Sequence, residues 1–452
     1  MATDRRQFKA PAPEPVTNVS TLLSQWSTLS LAEISARLQS GQDIAAAQQL
    51  FGAEAVAEMI APPTASRAVG PREAVVLLPG IMGSTLSSIR GVTSLVWLNP
   101  AIYLAGHASY LELGADGVSD ASPMVEIVPV GIEKLVYLKI ALVLRRECEL
   151  YEFPYDWRRP IEYNADVLHT CLEKWAAGSD KRFTLIGHSM GGIVSRAYLV
   201  QHAAAAEQRL KRVISLGTPY YGAANAIENI VLGNEMLALA QKLNSRNQTK
   251  GLILNMPSFY ELLPAPPDLF PAGRAYAANW NLYDAAEWRW DGLRQDYLAL
   301  AQRFHARLTG ADPQVETVQI AGCNLDTTVG VERTFDSNEK PRFEAIHLEE
   351  GPDAGDGTVP LWSATLPKAR MFYIQERHRN LPGNGDVIKA VLALTHDDEP
   401  DLPSAIPPRQ AGWFGRGVET PASLEDQAFG LRQRLADGTV TADDLAQFYF
   451  LQ

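Results

Sequence analysis

Hydrophobic positions between residues 74 and 396 alternate between two kinds of pattern. Candidate strands, several of them continuous apolar runs, occur at 74–79, 149–156, 183–186, 213–216, 315–321 and 370–374. Stretches with helical spacing of apolar residues follow three of them, at 164–177, 191–202 and 385–394. Because apolar runs are typical of strands buried on both faces, this alternation predicts an α/β fold, a mostly parallel sheet covered by helices on both faces.

One long segment breaks the alternation. From residue 222 to about 297, the pattern predicts helices and Pro-rich loops but no strand, and many large apolar side chains occur, including Trp280, Trp288 and Trp290. An insertion of this size between two sheet strands is typical of an α-helical cap or lid. The aromatic side chains are equally consistent with an acyl-chain pocket and with the ordinary core of a cap.

The two ends of the chain stand apart from this pattern. Residues 1–70 predict a helical extension, with one or two short helices between Leu29 and Met59, followed by a connector that contains Pro and Gly. Residues 400–422 predict a Pro/Gly-rich linker and residues 423–452 a second short helical extension. The α/β domain is therefore expected at 71–399, and the terminal helices are candidate contacts for a protein partner.

Composition and charge narrow the class of protein. Apolar residues make up 46% and charged residues 20%, as in an ordinary globular protein, and 40 Lys and Arg against 52 Asp and Glu give a net charge of −12. This charge argues against binding of nucleic acid. The three cysteines, Cys148, Cys171 and Cys323, fit no metal-ligand spacing. With no predicted signal peptide or membrane span, we expect a cytoplasmic protein that needs neither a metal ion nor an organic cofactor.

A candidate nucleophile lies between a predicted strand and a predicted helix. Residues 187–191, Gly-His-Ser-Met-Gly, have the G-x-S-x-G pattern of a nucleophile elbow, a tight turn that presents a serine hydroxyl at the start of a helix. Since both flanking elements are predicted, we expect Ser189 to be catalytic rather than part of a structural turn. His188 is expected to pack within the turn rather than to act as a base.

In this kind of fold, a carboxylate and then a histidine follow the serine along the chain. His378 comes just after the candidate strand 370–374, so it is expected at the carboxyl edge of the sheet, where such sheets bind ligands. His305 lies in a helical pattern, His347 in an apparent strand and His396 at a helix end. We therefore expect His378 to be the general base.

The string Gly355-Asp356-Gly357-Thr358 is the expected source of the carboxylate. A glycine on each side lets the short acidic side chain project from a tight loop, and Thr358 is expected to brace it by hydrogen bonding. The string is also consistent with an ordinary turn. Asp353 is the nearest competing carboxylate, but no such setting surrounds it.

Acyl transfer also requires hydrogen-bond donors for the oxyanion. The amide of Met190 directly follows the nucleophile, and the loop at 79–84 after the first strand offers the amide of Ile81. Gly80 in this loop allows the backbone to approach a substrate closely. Without a catalytic role, the same glycines would suit a turn at the end of a strand.

Taken together, these strings resemble the lecithin:cholesterol acyltransferase-like family of α/β-hydrolases. The resemblance covers about residues 74–396, and Tyr-Asp-Trp-Arg together with Gly-Asp-Gly-Thr-Val is its most specific part. The matching strings are Leu-Pro-Gly-Ile-Met-Gly-Ser at 78–84, Phe-Pro-Tyr-Asp-Trp-Arg at 153–158, Gly-His-Ser-Met-Gly-Gly at 187–192, Leu-Gly-Thr-Pro-Tyr-Tyr-Gly at 216–222, Pro-Ser-Phe-Tyr-Glu-Leu-Leu-Pro at 257–264, Gly-Asp-Gly-Thr-Val-Pro at 355–360 and then His378.

The resemblance implies an α/β-hydrolase fold and an acyl-enzyme mechanism on lipid esters, with the acyl group passed to water or to an alcohol. It implies that Ser189, Asp356 and His378 form the catalytic triad and that Ile81 and Met190 form the oxyanion hole. Secreted members of the family carry a disulfide-closed lid just after the Pro-Gly turn, and this chain has no cysteine pair there.

Four further residues are candidates for substrate binding: Gly80, Tyr155, Trp157 and Tyr220. For Trp157 a purely structural role is equally open. The cap is the expected point of transient contact with a membrane surface. A small-molecule carboxylesterase or lactonase would use the same chemistry, whereas a non-catalytic lipid-binding or interaction protein would be expected to have a broken triad.

Overall fold

A computed structural model describes residues 22, 25, 26, 29–64, 72–91, 94–97, 99–232, 237, 241, 242, 244–247, 249–271, 280–311 and 313–409. The described strands are β1 (Ala74–Leu78), β2 (Ser84–Ser88), β3 (Ser94–Trp97), β4 (Ile127–Ile132), β5 (Glu149–Glu152), β6 (Phe183–His188), β7 (Leu210–Leu216), β8 (Glu316–Gly322), β9 (Thr327–Phe335), β10 (Pro341–Leu348) and β11 (Arg370–Ile374).

The described α-helices are α1 (Leu31–Gln39), α2 (Ile44–Phe51), α3 (Ala53–Ile60), α4 (Pro100–Leu104), α5 (Lys134–Glu147), α6 (Ile161–Ala176), α7 (Met190–Gln201), α8 (Ala203–Arg209), α9 (Asn225–Leu232), α10 (Pro257–Glu261), α11 (Ala285–Trp288), α12 (Gln295–Gly310), α13 (Leu361–Ala364) and α14 (Gly385–Thr395). Short 3₁₀ segments occur at Ala108–Leu111, Thr249–Gly251, Ile253–Asn255, Pro267–Leu269 and His378–Gly383.

A six-stranded parallel sheet in the order β11-β8-β7-β6-β1-β5 forms the centre of the molecule, so the α/β fold predicted from the alternation is confirmed. Every residue of β1 is buried. Its side chains alternate between two cores: Val76 and Leu78 belong to one hydrophobic cluster, and Val75 and Leu77 belong to the other. The apolar run of this strand therefore reflects helices on both faces of the sheet.

The strand order fixes where a ligand can bind. From β1 the chain first crosses to β5 at one edge and then returns to β6 on the other side of β1. Connections that leave neighbouring strands in opposite directions open a crevice at the carboxyl ends of those strands. The loop that starts at Pro79 and the turn at Ser189 both lie at this crevice.

A second, antiparallel sheet in the order β3-β2-β4 lies between β1 and β5 in the sequence, and the strand pattern did not predict it. Leu86 pairs with Trp97 on one side and with Pro129 on the other. Trp97 donates a hydrogen bond to the Met82 carbonyl oxygen at 2.8 Å and packs edge-on against Trp157, with ring centroids 5.1 Å apart. This sheet is therefore anchored on the loops that follow β1 and β5.

The described part of the 222–297 segment contains helices, 3₁₀ turns and loops but no strand. It packs against the antiparallel hairpin formed by β9 and β10. The ring of Phe343 on β10 lies 4.9 Å from the ring of Trp280 and 6.0 Å from that of Trp288. Both tryptophans are buried, so in the described structure they contribute to the core that joins the cap to this hairpin.

Three short helices, α1 to α3, occupy the segment where the pattern predicted one or two. Helices α1 and α3 pack against α5 of the α/β domain, where Lys139 forms an ion pair with Glu58 at 2.8 Å, and α2 packs against α3. The amide of Thr64 also reaches the Glu147 carboxylate. The predicted extension at 423–452 and residues 410–422 of the predicted linker lie outside the described residues. None of the described helices is long and apolar enough to cross a membrane.

Candidate active site

Ser189 lies at a tight turn between β6 and α7, as the elbow pattern predicts. Its backbone has φ 53° and ψ −125°, a conformation that residues with a side chain rarely adopt. The flanking glycines are required by close packing. A Cβ on Gly187 would lie 2.6 Å from the Gly192 nitrogen, and a Cβ on Gly191 would lie 2.5 Å from the carbonyl oxygen of Leu78. The turn therefore brings the nucleophile candidate against the end of β1.

The structure brings the three predicted triad side chains together. The Ser189 Oγ lies 2.9 Å from Nε2 of His378, and Nδ1 of His378 lies 2.7 Å from Oδ2 of Asp356. An ionised carboxylate accepts hydrogen bonds only, so Nδ1 carries the proton and Nε2 is left to accept the serine proton. This is the arrangement that a serine needs in order to become a nucleophile.

The loop around Asp356 holds the carboxylate mainly through backbone groups. Its Oδ1 accepts hydrogen bonds from the amides of Thr358 at 3.0 Å and Val359 at 2.7 Å. The brace expected from Thr358 thus comes from its amide. A residue that the motif analysis did not identify, Thr327, adds support, because its hydroxyl accepts hydrogen bonds from the amides of Gly355 and Gly357.

The two predicted oxyanion donors lie in segments next to the nucleophile. Met190 is the first residue of α7, and Ile81 follows Gly80 in the loop after β1. A Cβ on Gly80 would lie 2.9 Å from the Ser189 Cβ, so this loop passes directly beside the serine. Among the described hydrogen bonds, none is donated by the amide of Ile81 or Met190. Both amides are therefore available to a substrate oxygen.

Comparison with known proteins adds a sequence relationship. Residues 139–292, which include Ser189, match the family described as lecithin:cholesterol acyltransferase. The chain is 24% identical over 420 residues to lecithin-cholesterol acyltransferase-like 4 of Arabidopsis thaliana, covering 72% of this chain and 76% of that protein. It is also 24% identical over 140 residues to phospholipase A(1) LCAT3 of the same plant, covering 29% of this chain and 31% of that protein. These matches show that the chain is similar to members of the lecithin:cholesterol acyltransferase-like family.

The chain also aligns with chains of solved structures. A chain of the Tle4–Tli4 complex is 16% identical and aligns with a TM-score of 0.48, covering 72% of this chain and 98% of that chain. The mature form of the Bacillus licheniformis lipase BlEst2 is 14% identical and aligns with a TM-score of 0.35, covering 72% of this chain and 90% of that one.

A glycine in one of the strings shared with the acyltransferase-like family lies at the triad. Gly217, just after β7, has φ +57°, and a Cβ there would lie 2.9 Å from Oδ2 of Asp356 and 3.0 Å from Nδ1 of His378. A side chain at this position would push the acid and the base apart. Because Gly217 in the string at 216–222 has no side chain, Asp356 and His378 have room to meet there.

Three of the predicted substrate-binding residues are buried, and their polar atoms form hydrogen bonds within the protein. The Tyr155 hydroxyl donates to the Pro79 carbonyl oxygen at 2.7 Å, and the Trp157 indole donates to the Ser84 carbonyl oxygen at 3.2 Å. The Tyr220 hydroxyl lies 2.6 Å from the Ser215 hydroxyl, and burial raises its pKa to about 12. These contacts favour a structural role for all three, whereas Gly80 remains beside the nucleophile.

The other histidines downstream of the serine lie away from the triad. His305 is buried in α12, where Nε2 contacts the Leu263 carbonyl oxygen and burial lowers its pKa to about 4. His347 pairs with Asp326 near the surface, and His396 ends α14. In the described part of the chain, no group of three or more His, Cys, Asp or Glu side chains could hold a metal ion.

Besides Thr327, sequence reasoning missed Tyr137, which lies behind the site. Tyr137, on α5, places its hydroxyl 2.7 Å from both the Gly80 amide nitrogen and Nδ1 of His188. In the sequence Tyr137 lies in an apolar helical stretch, so its contacts at the site become visible only in the three-dimensional structure. His188, which was expected to pack within the turn, does so with both ring nitrogens engaged, because its Nε2 lies 3.0 Å from the His378 carbonyl oxygen.

Proposed function

We propose that this chain is a serine-dependent lipid acyl hydrolase or acyltransferase that works through an acyl-enzyme. The observation that carries the proposal is the continuous Ser189–His378–Asp356 relay, with successive contacts of 2.9 and 2.7 Å. Similarity to the lecithin:cholesterol acyltransferase-like family supports an ester of a lipid as the substrate.

The geometry assigns each group a step. His378 accepts the Ser189 proton at Nε2 while Oγ attacks the ester carbonyl, and the oxyanion accepts hydrogen bonds from the amides of Ile81 and Met190. Asp356 stabilises the imidazolium that forms. The imidazolium then gives its proton to the departing alkoxide, which leaves the acyl group on Ser189. Water or an alcohol attacks this ester in the reverse sequence of proton transfers and releases the serine.

Turnover of p-nitrophenyl esters by purified Ser189→Ala protein tests the mechanism. We expect kcat to fall by about 10³-fold or more, because the remaining groups have no nucleophile to activate. Ser195→Ala is the matched control, since this buried serine lies on the helix that begins directly after Ser189 and its described hydrogen bond is donated to the Gly191 carbonyl oxygen. Full turnover by Ser189→Ala would remove the serine mechanism. An inactive wild-type protein would favour a non-catalytic lipid-binding role.

Chain-length preference tests the substrate class. Burial of each acyl CH₂ contributes about 0.8 kcal/mol, so a lipid enzyme should have a higher kcat/KM for the C16 ester than for the C4 ester. A clear preference for C4 would favour the small-molecule esterase or lactonase, which uses the same three side chains. Product analysis by mass spectrometry, with and without an added alcohol, distinguishes transfer to water from transfer to the alcohol.

The setting of this activity is part of the same proposal. A lipid substrate is presented at a membrane or micelle surface, so we propose transient contact through the cap, which sedimentation with phosphatidylcholine vesicles measures. We further propose that the protein acts in the reducing cytoplasm, and the lack of a disulfide among the described cysteines is consistent with this location. Protein recruitment by the terminal extensions is testable by comparing pull-downs with the full chain and with a chain ending at residue 409.

A further inference from the structure

A continuous chain of hydrogen bonds runs behind the triad and joins two catalytic loops. The Gly80 amide donates to the Tyr137 hydroxyl at 2.7 Å, and that hydroxyl lies 2.7 Å from Nδ1 of His188. On the other side of the ring, Nε2 of His188 lies 3.0 Å from the carbonyl oxygen of His378. The chain therefore begins beside the oxyanion donor Ile81 and ends on the general base.

Only one assignment of protons gives every hydrogen bond in this network one donor and one acceptor. The Tyr137 oxygen accepts the Gly80 proton, so its own proton is the one available to Nδ1 of His188. A neutral imidazole with Nδ1 as acceptor carries its proton on Nε2, which donates to the His378 carbonyl oxygen. Each step thus fixes the next, from the Gly80 amide to the backbone of His378.

The two side chains of this hydrogen-bond network, Tyr137 and His188, are both uncharged. Burial, reinforced by the neighbouring His378 and Arg379, lowers the pKa of His188 well below its ordinary value, and burial raises the pKa of Tyr137. The buried Glu133 caps the start of the same helix as Tyr137. Both members of the chain therefore stay neutral while His378 gains and loses its proton.

The two ends of the chain carry the groups whose spacing decides the reaction. The His378 backbone is held twice, because its amide donates to the Asp356 carbonyl oxygen at 2.9 Å and its carbonyl accepts from His188. Tyr137 is held by α5, whose first turn is capped by Glu133 through the amides of Leu135 and Val136. A rigid helix therefore sets the distance between the oxyanion loop and the base.

Building on the proposed function, we propose that Tyr137 and His188 are positioning residues of the acyl-transfer site. They fix the positions of the Ile81 amide and the His378 imidazole relative to each other, with Ser189 nearby. Neither touches the reacting atoms. Loss of either link would let one of the two loops shift, and a misplacement of about 1 Å at such a site costs on the order of 100-fold in rate.

Tyr137→Phe tests the first link, because it removes only the hydroxyl. We expect kcat per active site, counted by titration with a fluorophosphonate, to fall by about 10- to 100-fold with a small change in KM. Tyr198→Phe is the matched control: it is a buried tyrosine on α7 whose hydroxyl has no described hydrogen-bond partner. The control should keep the wild-type kcat per active site.

His188→Gln tests the hydrogen bond between Tyr137 and His188. The glutamine side-chain amide can still donate to the His378 carbonyl oxygen, but it offers Tyr137 no acceptor at the position of Nδ1. Alone it should lower kcat per active site by about 10-fold or more. Combined with Tyr137→Phe, it should add less than about threefold, because the same chain is already broken. Should Tyr137→Phe fail to fold, His188→Gln carries the test.

The outcomes separate positioning from structure and from the proposed function. A folded Tyr137→Phe or His188→Gln protein with unchanged kcat per active site would overturn the proposal. So would a loss of activity that titration assigns wholly to a smaller fraction of active protein. Either result, alongside an inactive Ser189→Ala protein, leaves the serine mechanism standing. Full activity of Ser189→Ala would instead refute the proposed function itself.

Discussion

Ser189 combines an unusual backbone conformation with a hydroxyl that contacts the candidate base, His378. The turn at φ 53° keeps its hydroxyl at the end of the sheet, and only glycines fit at the neighbouring positions 187 and 191. The elbow was predictable because such crowding restricts the sequence itself. His378 could be proposed as the base from its position after a strand and Asp356 as the acid from its glycine-flanked string, although the contact distances could not be predicted.

Asp356→Asn is predicted to damage catalysis without removing substrate binding. An amide in place of the carboxylate no longer holds the His378 proton on Nδ1, so the base presents the wrong tautomer to Ser189. We expect kcat to fall by about 10³- to 10⁴-fold with little change in KM. Asp353→Asn, at the competing carboxylate of the same loop, is the control and should remain within about twofold of wild type. The reverse ranking of the two variants would reassign the acid.

Gly217→Ala is predicted to inactivate the protein more than it destabilises it. The added Cβ would lie 2.9 Å from Oδ2 of Asp356 and 3.0 Å from Nδ1 of His378, which must then separate. Gly178→Ala is the matched control, since this glycine also has a positive φ, of +75°, but open space around it. We expect both variants to lose about 1–2 kcal/mol of stability from backbone strain, and only Gly217→Ala to lose activity. Kinetics and urea denaturation measure the two effects; equal activities would show that the position is not critical.

At the scale of elements, the parallel strands were predictable and the antiparallel sheet was not. The strands β1 and β6 are apolar runs at or near the predicted positions and are buried along their whole length, because helices cover both of their faces. Strand β2, with the sequence Ser-Thr-Leu-Ser-Ser, offers neither an apolar run nor a clear alternation. Its burial comes from tertiary contacts made by the loops after β1 and β5, which no local pattern encodes.

A buried carboxyl links the cap to helix α6 and should make stability depend on pH. Glu261 on α10 accepts a hydrogen bond from the Ile161 amide at 2.7 Å, and burial raises its pKa from 4.5 to about 8, with Glu162 raising it further and Arg307 opposing. Its folded form is thus protonated where the unfolded form is ionised. The contribution to stability is complete below pH 4.5 and is lost as pH rises to about 8.

Glu261→Gln is predicted to remove this dependence. A neutral amide of the same shape keeps the acceptor for the Ile161 amide and has no proton to lose. We expect similar stability of the two proteins near pH 5 and higher stability of the variant near pH 8–9, the difference growing by at most about 1.4 kcal/mol per pH unit. Guanidinium denaturation across this range measures it. Parallel curves for the two proteins would show that Glu261 is ionised in the folded state.

At the scale of the whole molecule, the described N-terminal helices share a core with the sheet. Trp26, Ile34 and Leu38 belong to the same hydrophobic cluster as Val75 and Leu77 of β1. Sequence patterns separated this segment from the α/β domain because a connector with Pro and Gly follows it. In the described residues, the apolar faces of these helices are nevertheless buried against α5 and the sheet.

Ile34→Ala is therefore predicted to destabilise the entire protein rather than the N-terminal segment alone. Truncating a fully buried isoleucine costs about 2–5 kcal/mol. Thermal unfolding should still show one transition at a lower temperature, with loss of activity following the same curve. The control, Glu54→Ala, changes an exposed residue of α3 and should leave the transition in place. Activity that survives an early, separate transition would show that the segment is an independent unit.

The most direct measurement of the central claim is the site of covalent modification during turnover. The wild-type protein is quenched in acid within milliseconds of mixing with p-nitrophenyl palmitate, digested, and mapped by mass spectrometry. The relay of Ser189, His378 and Asp356 predicts an acyl ester on the peptide that contains Ser189, formed in a burst with p-nitrophenol release and absent from Ser189→Ala and Asp356→Asn proteins. An acyl group on any other residue, or undiminished p-nitrophenol release by Ser189→Ala, would contradict it.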